Sequence, residues 1–498
     1  MHTLPRALRD LPIRFRAISI AQDPTASAGI PIRKTTLPGC GSFDDATSNI
    51  GRNNEYDVVH TDGDGSSLRV PAYDDYTRDV AGRVTFASHN MSGQWRGAPF
   101  DPFSGIFLAG TSTYVYRPDG RLASVNDRDE LHAFTYDARG QLATQTVREG
   151  VYAYAYDELG RSTRIDFPDG HQRVQIFDDL GRITSRCYHY PSDGSLDRCY
   201  SASYDAVGNP VSLSDPEGTD VLTYDALDRL TSVTRNGVLT ETYAYNALGA
   251  LTDNGGVAMD HQRPRLDGTG LADAAVPATL AGSPVTLDGG GRITSVRDVG
   301  FRFGRFGKLE QITEPGPVPP RYWGFDATGN LAWKLKGSTV VGSELYLYEG
   351  GNRIAQVIHD DSRGYVTGEQ FLYAGIDHPL RGRNYAYGPP VGSTLPGPVT
   401  ADFSYELDLA GNVRRLRAPG GADLGGYRFS AFGKTLENTA TVEQPLRWKG
   451  RWLDSYAGLE LYDMRARQWV PELGTFLAID EFAFHDAKGT LWPTDGPA

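Results

Sequence analysis

A six-residue pattern, Tyr-Asp-x-x-Gly-Arg, recurs so often along this chain that any fold must accommodate it many times over. Copies read "YRPDGRL" from Tyr116, "YDARGQL" from Tyr136, "YDELGRS" from Tyr156, "FDDLGRI" from Phe177, "YDAVGNP" from Tyr204 and "YDALDRL" from Tyr224. Further copies follow at Tyr245, Leu287, Phe325, Tyr348 and Leu407, and the first glycine slots fall at 120, 140, 160 and 181. A period near twenty residues suits one hairpin per repeat. Asp-x-x-Gly matches a type I turn followed by a left-handed residue, the three-residue hairpin loop with a bulge. The aspartate ties the turn through its own backbone, and the glycine supplies φ > 0. Where glycine is absent, the slot holds Asp228 or Asn352, the residue types that visit the left-handed region most easily.

The flanking slots then predict cross-strand partners. Asp157 faces Arg161 and Asp178 faces Arg182 as charge pairs, while Tyr136 meets Leu142 and Tyr224 meets Leu230 on a face to be buried. An isolated hairpin is marginal in water, so the units must stack side by side into a longer sheet. The fold class is therefore all-β, built of stacked antiparallel hairpins. A dozen identical active sites would serve no purpose, so the Asp and Arg slots are architecture.

The composition agrees. Of 498 residues, 39% are hydrophobic, with 27 Tyr, 20 Phe and 7 Trp, enough to bury a core, and 58 Gly with 30 Pro provide many turns. A net charge of −13 without a basic region argues against nucleic-acid binding. No apolar run is long enough for a membrane span. The N-terminal residues mix Arg and Asp and lack the uninterrupted apolar stretch of a secretory signal. The ten histidines show no zinc-site spacing, so no metal and no cofactor are expected. Cys187 and Cys199 frame a turn and are placed either to form a disulfide or to remain two thiols in a half-buried hairpin. Residues 378–400, rich in Gly and Pro, read as a long loop.

These copies resemble the YD repeats of the RHS family, whose relatives include toxin complex C components and teneurins. The stretches "YRFSAFGKTLE" from Tyr427 and "LRWKGRWLDSYAGLELYDMRARQWVPELGTFLAIDEF" from Leu446 resemble the RHS repeat-associated core. The resemblance divides the chain into degenerate repeats over 1–105, a repeat region over 106–400, the core over 401–482 and a tail over 483–498. It implies a β-sheet strip that spirals and closes into a hollow shell around a polypeptide cargo, a toxin encoded separately or lost. It further implies a secreted or cell-surface location and an aspartate-dependent self-cleavage in the core. Asp480 matches the family's first aspartate, but Ile479 stands where Arg is usual and Glu481 where Pro is usual. The missing Arg removes the charge that would hold that carboxylate. Asp486 and Asp495 are the candidate partners, Asp486 also fitting an ordinary turn. The expected function is a non-enzymatic shell that encloses or presents cargo. The alternatives are a surface protein binding glycans or proteins through its Tyr rows, and an autoprotease.

Overall fold

The computed structural model describes residues 52–478 except 62–66, 92–93, 97–107, 128–129, 192–196, 265–270, 305–306, 326–329, 337–338, 350–351, 361–364 and 387–397. The chain divides into two units, Met1–Ser48 and Asn49–Ala498, and the described residues belong to the second.

The repeat turns form as their residues dictate. At 157–161 the Asp157 amide donates to the Arg161 carbonyl (3.0 Å), the Gly160 amide donates to the Asp157 carbonyl (3.1 Å), and Asp157 Oδ1 accepts the Arg161 amide (2.9 Å). Gly160 has φ 83°, and Asp228, in the same slot, has φ 59°. Arg161 Nε pairs with Asp157 Oδ2 at 2.6 Å, and Arg182 with Asp178 at 2.6 Å. Tyr136 lies opposite Leu142 and Tyr224 opposite Leu230. Asn352 departs from its expected turn role: it begins the strand Asn352–Asp360, opposite Glu349. Residues 378–400 also depart from the expected loop, since Pro379–Ala386 is a strand in the sheet.

The tyrosines link one hairpin to the next, a role not visible in the motif. Tyr136 Oη donates to the Leu122 carbonyl (2.8 Å), Tyr156 to Leu142 (2.9 Å), Tyr204 to Ile183 (2.8 Å) and Tyr224 to Pro210 (2.7 Å). The accepting residue always follows the last slot of the preceding hairpin's turn, and where that slot holds Arg, as at Arg121, Arg182 and Arg229, its guanidinium covers the ring, whereas Gln141 and Asn209 hold it before Tyr156 and Tyr224. Arg182 Cζ lies 4.5 Å from the Tyr204 ring centre and Arg229 Cζ 4.6 Å from that of Tyr245. In the copy with Phe177 there is no phenol, and Gln175 Nε2 donates to the Ser162 carbonyl instead (2.9 Å). Tyr224→Phe is thus expected to lose about 0.5–1.5 kcal/mol, and Gln175→Leu more, because it also takes the acceptor Oε1 from the buried Arg186 Nε (2.7 Å), each read as a lowered urea midpoint with unchanged slope.

A bulge accompanies each repeat turn, as between Ser162 and Arg164 or between Thr135 and Tyr136. Bulges add twist and bend a strand. All of these fall on the same edge of the sheet, because successive repeat turns are two strands apart. The result, among the described residues, is an antiparallel strip of 34 strands. It begins at Arg52–Thr61, which pairs with Ser67–Arg78, and finishes at Thr435–Asn438, which pairs with Asp423–Phe429.

The expected closed, hollow shell is not what forms. Among the described residues no pairing joins the two ends of the strip, so the sheet stays open. The physical reason lies in the second half of the chain. A separate four-stranded sheet, Trp452–Tyr456, Leu459–Asp463, Gln468–Val470 and Thr475–Phe476, packs against the strip. Its Leu459, Leu461 and Val470 share one dry core with Val233, Leu280, Ile312, Phe403 and Leu416 of the strip. The apolar side of the strip is covered by the protein's own chain rather than by strand closure.

The strip also touches itself through side chains, without strand pairing. Glu406, fully buried, accepts from Arg198 Nε (2.9 Å), Tyr200 Oη (3.1 Å) and Arg417 Nε (2.6 Å). Arg414 pairs with Asp215 at 2.5 Å and Arg415 with Glu217 at 2.8 Å. Leu380 completes an apolar cluster with Val147, Tyr152, Ile165 and Phe167. Cys187 and Cys199 sit directly opposite one another and form a disulfide.

Candidate functional site: the core segment seated on the strip

The residues from Leu446 onward combine aromatic, aliphatic and charged side chains in strands too short to be stable alone. They hold together by docking, and the docking contacts define the site. Leu446, Leu461, Tyr462, Val470 and Leu477 are all at most 1% exposed.

Charged and polar locks surround this apolar seat. Arg353, 3% exposed, pairs with Asp463, 9% exposed, and donates from Nε to Tyr348 Oη at 3.0 Å. Its Cζ lies 4.1 Å from the Tyr346 ring centre and 4.2 Å from that of Trp452. Burial by itself would lower the Arg353 pKa, but Tyr348 and Asp463 outweigh it and hold it raised, so the group stays charged. Arg353 Nη1 has no hydrogen-bond partner, and Arg353 lines a cavity of 20 Å³ together with Asp377, Arg451 and Arg465. That is room for about one water. Asp377 in turn pairs with Arg451 (2.8 Å) and Arg465 (2.9 Å). Lys334 pairs with Asp454.

Backbone groups are matched as closely. Asn254 Nδ2 donates to the carbonyls of Pro471 (2.8 Å) and Glu472 (2.9 Å). The Ala431 amide donates to Glu241 Oε2 (3.1 Å), a carboxyl whose pKa burial raises. The Ile293 amide donates to the Leu477 carbonyl (2.8 Å), and the Leu477 amide to Gln468 (2.9 Å). Ala478, two positions before Asp480, is 8% exposed. The chain is therefore pinned in the buried seat up to that point.

Asp480, Asp486 and Asp495 lie outside the described residues. Among the described residues no cluster of His, Cys, Asp or Glu could hold a metal ion. The described site is an interface between the core segment and the strip. Sequence reasoning missed Arg353 and Glu406 as locks. Arg353 occupies an ordinary repeat slot, and its partner Asp463 is 110 residues away. No local signal marks it.

A family model described as RHS Repeat matches residues 204–237. No curated protein matches the chain. Among solved structures, the "Crystal Structure of TcdB2-TccC3-Cdc42" aligns with TM-score 0.66 at 15% identity, over 85% of this chain and 23% of that one. The Photorhabdus luminescens Tc holotoxin pore aligns with TM-score 0.66 at 14% identity, over 90% of this chain and 24% of that one. The chain thus shares their fold and spans about a quarter of their length.

Proposed function

We propose that this RHS-repeat protein is a non-enzymatic scaffold that holds and presents a polypeptide cargo as part of a toxin-type delivery assembly. The observation that carries the reading is the seating of the core segment. The strip buries Leu446, Leu461, Tyr462, Val470 and Leu477, and the segment is still buried at Ala478. A polypeptide joined there, or docked beside it, starts against the strip rather than in open solvent. The similarity to TcdB2-TccC3 structures supports the same class of role. A secreted or surface location fits the bridged cysteine pair, since disulfides persist in oxidising compartments.

The glycan-binding alternative loses its main support. The repeat tyrosines donate to backbone carbonyls, and several lie under arginines, so they are engaged in the strip itself. Self-cleavage at Asp480 is not part of the proposed role. Intact mass of freshly made wild type and of Asp480→Ala is expected to show a single full-length species in both. Two fragments from wild type alone would replace the scaffold reading with the autoprotease.

Cargo holding is tested by fusing an unstructured polypeptide after Ala498 through a specific protease site. After cutting, the freed polypeptide is expected to co-elute with the chain in gel filtration. Complete separation at low micromolar concentration would count against the proposal.

A further inference from the structure

The repeat turns carry a feature that the hairpin itself does not require. In five successive turns the third residue is aliphatic, and each one points outward: Leu159, Leu180, Val207, Leu227 and Leu248 are 62% to 78% exposed. A turn position this exposed gains little stability from a large apolar side chain. Single exposed aliphatics are ordinary, but a periodic row on one edge is not. The turns are two strands apart, which places the side chains about 9.4–9.8 Å from one another.

The same edge is already used for docking elsewhere in the strip. In the turn at Asp408, Leu409 packs on Tyr188, Tyr190 and Tyr200, and the Asp408 carbonyl accepts from Arg186. That turn docks through Leu409, its second residue, while its third, Ala410, is exposed; among the described residues the third-position aliphatics from Leu159 to Leu248 stay exposed.

Charge narrows the occupant. The five turns, 157–161, 178–182, 205–209, 225–229 and 246–250, hold seven Asp or Glu against three Arg. Each of those arginines pairs with the aspartate that opens its own turn. Glu158, Asp179 and Asp228 remain exposed beside the aliphatic row. A second copy of this edge would bring like charges together. A basic, apolar chain would not. Spacing narrows it further, because a polyproline II segment repeats every three residues, about 9.3 Å, close to the interval between turns.

We infer that this edge binds an extended, basic polypeptide segment of polyproline II form with an aliphatic residue at every third position. Each aliphatic residue packs against one turn, and the intervening cations face Glu158, Asp179 and Asp228.

The probe is a fluorescent peptide of five Arg-Pro-Leu triplets, with five Arg-Pro-Ser triplets as a control of equal charge, both measured by anisotropy with the full chain. The leucine peptide is expected to bind, and the serine peptide to bind at least about tenfold more weakly, as loss of several buried methyl-sized groups requires. The triple variant Leu159→Ser, Leu180→Ser, Leu227→Ser, with its melting curve unchanged, is expected to lose about tenfold or more in affinity for the leucine peptide. Equal binding of the two peptides, equal binding by the variant, or no binding would overturn the inference. So would a concentration-dependent dimer abolished by the same substitutions, which would assign the edge to a second copy.

Discussion

Arg353→Ala is expected to lower the unfolding free energy by roughly 3–5 kcal/mol, the cost of leaving a buried charge without its partner. The abandoned group is Asp463, 9% exposed, which keeps the Arg465 amide as a hydrogen-bond donor at 2.8 Å. The substitution also removes the cation lying over Tyr346 and Trp452. The measurement is the urea midpoint at constant slope. A paired change, Arg353→Met with Asp463→Leu, removes both charges and is expected to recover most of the loss, because replacing a whole buried ion pair with apolar groups is often neutral. If the single and paired changes are equally damaging, the pair is not what locks the core segment to the strip.

Glu369→Gln is expected to stabilise the protein, increasingly so as pH rises. Glu369 lies in the strand Tyr365–Tyr373, opposite Gln356, and its Oε2 is enclosed without a hydrogen-bond partner. Burial, and then the nearby charges of Glu443 and Glu344, push its pKa up to about 8. A carboxyl raised in the folded state holds its proton there while the unfolded chain has lost it. Between the ordinary glutamate value and pH 8, stability therefore falls as pH rises, by up to about 1.4 kcal/mol per pH unit. Because the side chain as a whole is only half-buried, a total of a few kcal/mol is the realistic scale. Glutamine keeps the shape without the charge. Urea unfolding at pH 5, 6.5 and 8 is expected to show the variant gaining on wild type at each step. A constant difference across the series would mean that Glu369 does not titrate as described.

The local part of this structure was legible because its causes are local. Asp157 and Gly160 specify a turn by what their own backbone and side chains can do, and the pairing of Asp157 with Arg161 follows from the turn. The role of the tyrosine was half legible. Its ring was assigned to a face, but its phenol reaches into the preceding hairpin, and only the twist of consecutive hairpins brings Tyr224 Oη to the Pro210 carbonyl. The long-range locks were not legible. Glu406 sits among Arg198, Tyr200 and Arg417, and a pairing across 206 residues depends on how a whole run of bulged hairpins bends. The same sum of small bends decides whether a strip closes. The expectation of a closed shell failed there, since the core segment covers the apolar side that closure would have hidden. The sequence from Leu446 carries no local sign that Arg353, Asn254 and Ile293 converge on it.

Native-state hydrogen exchange on the strands Leu459–Asp463 and Val399–Leu407 tests the central claim, that core segment and strip are one cooperative body from which the chain beyond Ala478 emerges. The amides of Leu461 and Tyr462 are expected to open with the same free energy as those of Phe403 and Tyr405, and Arg353→Ala is expected to lower all four together. If the core strand opens at much lower free energy while the strip strand keeps its protection, the core is an appended flap, and the account given for its role is wrong.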